Sequence, residues 1–165
     1  METFDLLIIG AGPAGITAAY EAKKSGLKYL VIEKGLIGNT VYNYPVGLTV
    51  FSTTNELEIE NGQLKPAREK PTREELLSYY VRFVLEHELN VQTEEMVLSV
   101  KASSASAPLV AGGTFARALA KTQPSSDTGS FTVQTDKRAY TAKNVLFAIG
   151  AMDYPRKLNV KGEEL

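Results

Sequence analysis

Phe4–Lys34 reads FDLLIIGAGPAGITAAYEAKKSGLKYLVIEK, and the order of residue types in it decides the fold. Phe4 to Ile9 is an apolar run broken only by Asp5, as suits a strand buried on both faces of a parallel sheet. The chain then turns through Gly10-Ala11-Gly12-Pro13-Ala14-Gly15. Pro13 fits the first turn of a helix, where its missing N–H is no loss. Ile16, Ala19, Tyr20 and Lys23 continue at helical spacing, and Gly26 falls where a helix ends on a left-handed residue. Tyr29–Ile32 is a second apolar run, closed by Glu33.

A strand, a GxGxxG turn, a helix, a second strand and an acid form a unit suited to a dinucleotide. One glycine permits the tight bend, the next lets backbone approach a pyrophosphate, and the last lets helix and strand pack closely. Exposed N–H groups at the positive helix end then face the phosphates. Glu33 stands about 20 residues on, where a carboxylate can accept hydrogen bonds from ribose hydroxyls.

Composition narrows the chemistry. The 165 residues are 44% hydrophobic and 22% charged, the balance of one globular domain. Lys and Arg number 18 against 19 Asp and Glu, so no net field draws the chain to nucleic acid or an anionic membrane. Without cysteine there is no disulfide framework, thiolate metal site or thiol redox chemistry within these residues. With His87 the only histidine, a histidine-based triad or multi-histidine metal site is excluded, and no catalytic or metal-ligating residue is assigned. No basic leader precedes the first apolar run, and no apolar stretch approaches the ~20 residues of a membrane span. A soluble, cytoplasmic protein is expected.

Residues 35–71 are punctuated by Gly, Asn and Pro and read as a long irregular loop of the functional kind. Tyr42, Asn43, Tyr44 and Phe51 are placed to pack and hydrogen-bond a flat ring, or simply to anchor the loop. Thr72 and Glu75 form a capping box for a helix whose apolar stripe is Leu76, Leu77, Tyr80, Val81, Val84 and Leu85. His87, between Glu86 and Glu88, reads as a solvated surface residue. Short strands at Val91, Met96–Val100, Phe131–Thr135 and Tyr140–Ala142 suggest a small β-meander, after which Val145–Ile149 returns as a buried run ending at Gly150. Ala102 to Ser130, rich in Ala, Ser and Gly, reads as a flexible insertion, with a short helix over Phe115–Lys121.

GxGPAG, Glu33-Lys34, the meander and then VLFAIGAMDYPR together resemble the FAD domain of two-dinucleotide flavoprotein oxidoreductases. Ala148-Ile149-Gly150, followed by Pro155-Arg156, is similar to the family's second glycine motif. Val41–Pro45, Phe51–Leu57 and Lys70–Tyr80 resemble thioredoxin reductase-like proteins, in particular the bacillithiol disulfide reductase-like group. The resemblance implies an α/β, Rossmann-like FAD-binding domain with a parallel sheet plus a small antiparallel β-meander. It implies electrons passing from NADPH through FAD to a disulfide or other small redox acceptor, and a homodimer as one assembly of the full-length protein. Gly10, Gly12, Pro13, Ala14 and Gly15 would cradle the pyrophosphate, and Glu33 would take the AMP ribose, with Lys34 beside it. Asn43 and Tyr44 would lie near the flavin ring. Met96 and Val97 would turn their backbone to the adenine, and Ala148 and Gly150 would line the cofactor.

Two departures matter. The bacillithiol-linked proteins carry a cysteine directly before the third glycine, where this chain has Ala14. In the family a second glycine unit for NADPH follows a segment like 157–165, and the chain later returns to complete the FAD sheet. Residues 1–165 therefore read as the N-terminal portion of such a protein, incomplete at the C-terminus and without the NADPH domain. The isolated chain is then expected to be inactive. A flavin monooxygenase-like enzyme is the alternative within the superfamily, and a non-catalytic nucleotide-binding fragment is the alternative outside it.

Overall fold

A computed structural model describes residues 3–103, 110–111, 129–150 and 160. Strand β1 (Thr3–Ile9) leads through the glycine turn into helix α1 (Pro13–Lys24), and β2 (Tyr29–Ile32) follows. Gly12 is the N-cap of α1 with Pro13 in its first turn, and Gly26 sits in the left-handed region just past its end, as the residue types require. β1 and β2 pair in parallel from Leu6↔Tyr29 to Ile9↔Ile32.

Residues 35–71 contain more order than their composition suggests. Helices α2 (Asn39–Tyr42) and α3 (Thr54–Leu57) interrupt the loop, the second with its own Thr53/Glu56 capping box. Helix α4 (Arg73–Glu86) begins at the expected Thr72/Glu75 box. Its buried face is Leu76, Tyr79, Tyr80, Phe83 and Val84, whereas Leu85 is exposed. The apolar stripe is thus rotated from the sequence expectation, because the aromatic rings of Tyr79 and Phe83 fill the space over the sheet. His87 caps α4, and its ring packs against Tyr20 and Phe83 at centroid distances of 4.7 and 4.2 Å. It is half-buried rather than fully solvated.

Strands β3 (Val91–Gln92), β4 (Val97–Ala102), β5 (Val110–Ala111), β6 (Phe131–Thr135) and β7 (Ala139–Phe147) complete a sheet of order β3-β2-β1-β7-β6-β4, with β5 paired to β7. Two expectations change here. β3 belongs to the parallel sheet on β2, not to the meander. Tyr140–Ala142 and Val145–Phe147 are one strand: β7 runs antiparallel to β6 through Ala142 and parallel to β1 along its length. The mixed α/β architecture, with a parallel sheet and an antiparallel β4–β6–β7 extension, is the one the sequence implied. The suggested helix at Phe115–Lys121 lies outside the described residues.

The core has two parts, one on each sheet face. Leu6, Ile8, Tyr29 and Val31 pack under α1 and α4 with Ile16, Leu76 and Phe83. Leu7, Ile9, Leu30 and Ile32 face the other way, with Phe131, Val133 and Tyr140. Alternating side chains on a doubly covered parallel sheet require this division. Among the described residues no helix is long and apolar enough to cross a membrane.

Candidate functional site

The parallel register brings the carboxyl ends of β1, β2 and β7 level: Ile9 lies between Ile32 and Phe147. Everything after those three residues therefore converges on one rim. In open α/β sheets this rim, where the chain departs to opposite sides, is where ligands bind.

The turn after β1 is held by contacts that only glycine allows. Gly10 has φ +109°, and a Cβ there would lie 2.4 Å from the Ala148 carbonyl oxygen. A Cβ on Gly15 would lie 1.9 Å from the Gly10 carbonyl oxygen and 3.5 Å from the Ala148 Cβ. The two glycine motifs are thus in contact with each other. Gly12 differs, since nothing lies within 4 Å of where its Cβ would be. The space in front of it is open, as backbone approached by a phosphate must be. No side chain caps the first turn of α1, which leaves its N-terminal N–H groups directed outward.

Glu33 is buried, at 7% exposure. One carboxylate oxygen accepts from the Ala11 N–H at 2.8 Å and the other from the Gly35 N–H at 2.8 Å. Each oxygen keeps further acceptor capacity, so the side chain braces the turn and still presents acceptors to a neighbouring ribose. The Gly38 N–H donates to the Ala11 carbonyl (2.9 Å) and anchors the following loop to the same turn.

These groups open onto a cavity of about 1030 Å³, at the upper end of the range for small-molecule sites and suited to a dinucleotide. Gly10, Gly12, Pro13, Ala14, Glu33 and Lys34 line one part, Met96 and Val97 another, and Ala148 and Gly150 a third. Tyr44 lines it as well, with Phe51 and Ile149, which are 82% and 61% exposed. Two of the sequence-derived residues are set back from the walls. Gly15 lies behind Gly10, and Asn43 is exposed at the C-cap of α2. Met96 exposes its side chain, but its N–H donates to Asp136 Oδ1 and its carbonyl accepts from the Asp136 N–H, each at 3.0 Å.

Several wall residues carried no signal in the sequence. Asn39 and Thr40 come from the short α2, Tyr80 from α4, and Glu95 from the bend before β4. Tyr80 is buried beside Tyr79 and Tyr44, so its hydroxyl is held well above the usual tyrosine range, and it donates to the Leu57 carbonyl. It stays a neutral donor at any physiological pH. Among the described residues no cluster of His, Cys, Asp or Glu can hold a metal.

A glycine-rich turn at the head of α1, a buried acid at the end of β2 and a second glycine turn against the first define a dinucleotide-binding α/β protein. The chain belongs to the pyridine nucleotide-disulphide oxidoreductase family, which it matches over residues 7–110 and 121–165. This family is FAD-dependent and uses NADPH. The chain is 35% identical to the bacilliredoxin reductase Bdr of Bacillus subtilis, over 96% of this chain and 42% of that protein. It superimposes on the bacillithiol disulfide reductase Bdr of Staphylococcus aureus with a TM-score of 0.77 at 31% identity, covering all of this chain and 44% of that one. A flavin-containing monooxygenase from Stenotrophomonas maltophilia shares the fold at 20% identity, with a TM-score of 0.67 over 90% of this chain and 38% of that one. The chain therefore spans less than half the length of the proteins it matches.

Proposed function

We propose that this chain is the FAD-binding portion of an NAD(P)H-dependent flavoprotein oxidoreductase that passes electrons from NADPH through FAD to a disulfide or a similar small acceptor. The observation that carries the reading is the contact of Gly10 and Gly15 with Ala148, beside an open Gly12 and a Glu33 carboxylate braced by two backbone N–H groups. The residues fit the group. Gly10, Gly12, Pro13 and Ala14 with the head of α1 would hold the pyrophosphate, and Glu33 the adenosine ribose with Lys34 alongside. Met96 and Val97 would border the adenine, Asn43 and Tyr44 the flavin end, and Ala148 and Gly150 the adjoining wall. FAD, when bound, supplies the two-electron chemistry; the protein orients it and keeps water from its buried side.

The acceptor class follows the two Bdr proteins, whose names specify bacilliredoxin and a bacillithiol disulfide. Ala14 carries no thiol, so this portion forms no mixed disulfide with an acceptor. The likeness to the monooxygenase rests on fold alone and favours no oxygenation. The cytoplasm, where a reductase meets reduced nicotinamide donors, is the location this reading carries, and a homodimer is the assembly to test in the full-length protein.

The test is direct. The purified chain incubated with FAD should turn yellow and retain flavin absorption after gel filtration at one FAD per chain. A chain that stays colourless at saturating FAD refutes the reading. NADPH added to the loaded chain should bleach the flavin slowly if at all, since the residues that would bind NADPH lie in the portion of the relatives this chain does not match.

A further inference from the structure

Glu95 is a carboxylate with 0% exposure, on the wall of the cavity, in a segment with no helix or metal to balance it. Burying a charge costs several kcal/mol unless its lone pairs are filled, and here they are. Oε1 accepts from the Thr135 hydroxyl at 2.6 Å, Oε2 from the Tyr140 hydroxyl at 3.2 Å, and the Arg138 Nε stands 3.9 Å from Oε1 at the surface. An apolar residue of the same size would serve packing at least as well. The geometry therefore calls for a reason to hold an acceptor at this point.

The bonds around it supply one. Thr135, held by Glu95, also accepts from the Arg138 and Lys137 N–H groups at 2.9 and 3.2 Å, which fixes the turn between β6 and β7. That turn carries Asp136, which closes a two-bond ring on the Met96 backbone. On its other side the segment is tied to the ribose acid: the Glu95 N–H donates to the Glu33 carbonyl and the Glu94 N–H to the Gly35 carbonyl, each at 3.0 Å. Glu94 takes a left-handed φ of 55° to make this bend. Residues 94–97 are thus clamped between the Glu33 loop and the Thr135–Arg138 turn, with the Glu95 side chain as the tie.

We infer that Glu95 is a positioning residue for purine recognition, setting the Met96–Val97 edge of the cavity at a fixed distance from Glu33 so that the site selects an adenine dinucleotide over other purines. The inference rests on the proposed dinucleotide site. Glu95 itself exposes no surface and touches no ligand, so it acts through the backbone that follows it.

The experiment measures ADP and GDP binding by calorimetry, and FAD binding by flavin fluorescence, for the full chain and three variants. Wild type should prefer ADP to GDP by at least about tenfold, or 1.4 kcal/mol. Glu95→Leu should bind FAD and ADP about tenfold more weakly and bring the ADP-to-GDP ratio close to one. Glu95→Gln, which keeps an acceptor, should restore the preference to within about threefold of wild type. Asp136→Ala removes only the exposed end of the chain of bonds and should lower the preference without lowering the melting temperature, so it decides the matter if Glu95→Leu does not fold. An unchanged ADP-to-GDP ratio in a folded Glu95→Leu, or in Asp136→Ala, overturns the inference while leaving the dinucleotide site intact. A wild-type chain that binds neither FAD nor ADP overturns the site itself.

Discussion

Substituting Gly15 by alanine separates the two roles glycine plays in the turn. The added methyl would sit 1.9 Å from the Gly10 carbonyl oxygen and 3.0 Å from its carbon, and both atoms are backbone. No side-chain rotamer relieves that overlap, so α1 must move away from β1 by more than ~1 Å through a close-packed interior. Overpacking of this kind costs about 3 kcal/mol, or a fall of roughly 6–12 °C in melting temperature for a chain of this size. Gly12→Ala is the control. Its φ of −80° suits any residue and its Cβ meets nothing within 4 Å, so stability should change by less than about 0.5 kcal/mol. Its methyl nevertheless enters the space a phosphate would occupy, and FAD affinity should fall at least about tenfold, the equivalent of 1.4 kcal/mol. Circular dichroism melts and fluorescence titration of FAD give the two readouts. If Gly15→Ala melts within about 2 °C of wild type, or Gly12→Ala loses as much stability as Gly15→Ala, the reasoning from close approach is wrong.

Glu33→Ala leaves the buried Ala11 and Gly35 N–H groups without their acceptor and should destabilise the chain by about 2–3 kcal/mol; Glu33→Gln should recover part of the stability but bind FAD less well than wild type. Arg73 donates from Nε and Nη2 to the Tyr42 carbonyl and covers the Tyr42 ring, while its neighbour Glu74 accepts from the Gly47 N–H. Arg73→Ala should therefore raise the rate of limited proteolysis within residues 42–47, and Arg73→Lys should fail to restore it because one ammonium cannot reproduce the fork. The Lys143 ammonium, and then the Lys28 N–H, hold the Asp5 carboxyl below the usual carboxylate range. Its stabilisation is present above the unfolded value and lost as pH falls through the lowered folded one. With Lys143 63% exposed it is worth about 0.5 kcal/mol after screening. The melting difference between wild type and Asp5→Asn should accordingly vanish in acid, or in 1 M salt at neutral pH, and a difference that persists in both would contradict the assignment.

The β1–α1–β2 unit was legible because each of its signals is local: an apolar run, glycines at fixed offsets, Pro13 at a helix start, an acid after the second strand. The Thr72/Glu75 box announced α4 for the same reason. What escaped was set by distant partners. β7 looked like two strands because Lys143 and Asn144 break its apolar pattern, yet those residues are tied to Asp5, by an ion pair and by a bond from the Asn144 amide to the Asp5 carbonyl. β3 has only two residues and is a strand solely because β2 offers it an edge. Glu95 sat in an ordinary acidic pair; its burial depends on a turn 40 residues further on. At the site, the glycine and acid positions could be read from spacing, whereas the walls from α2 and α4 came from packing that spacing does not encode.

The touch between Gly10 and Ala148 also orders events during synthesis. Chains emerge from the ribosome N-terminus first, so the opening glycine turn is made long before the carbonyl that seats it. Until β7 is in place, β1 has only β2 beside it, and the turn has no fixed wall to close against. Such pairing between distant segments is slow to form. The nascent β1–α1–β2 unit is thus an incomplete nucleotide cradle for most of translation, and ligand capture is timed to the arrival of its last wall.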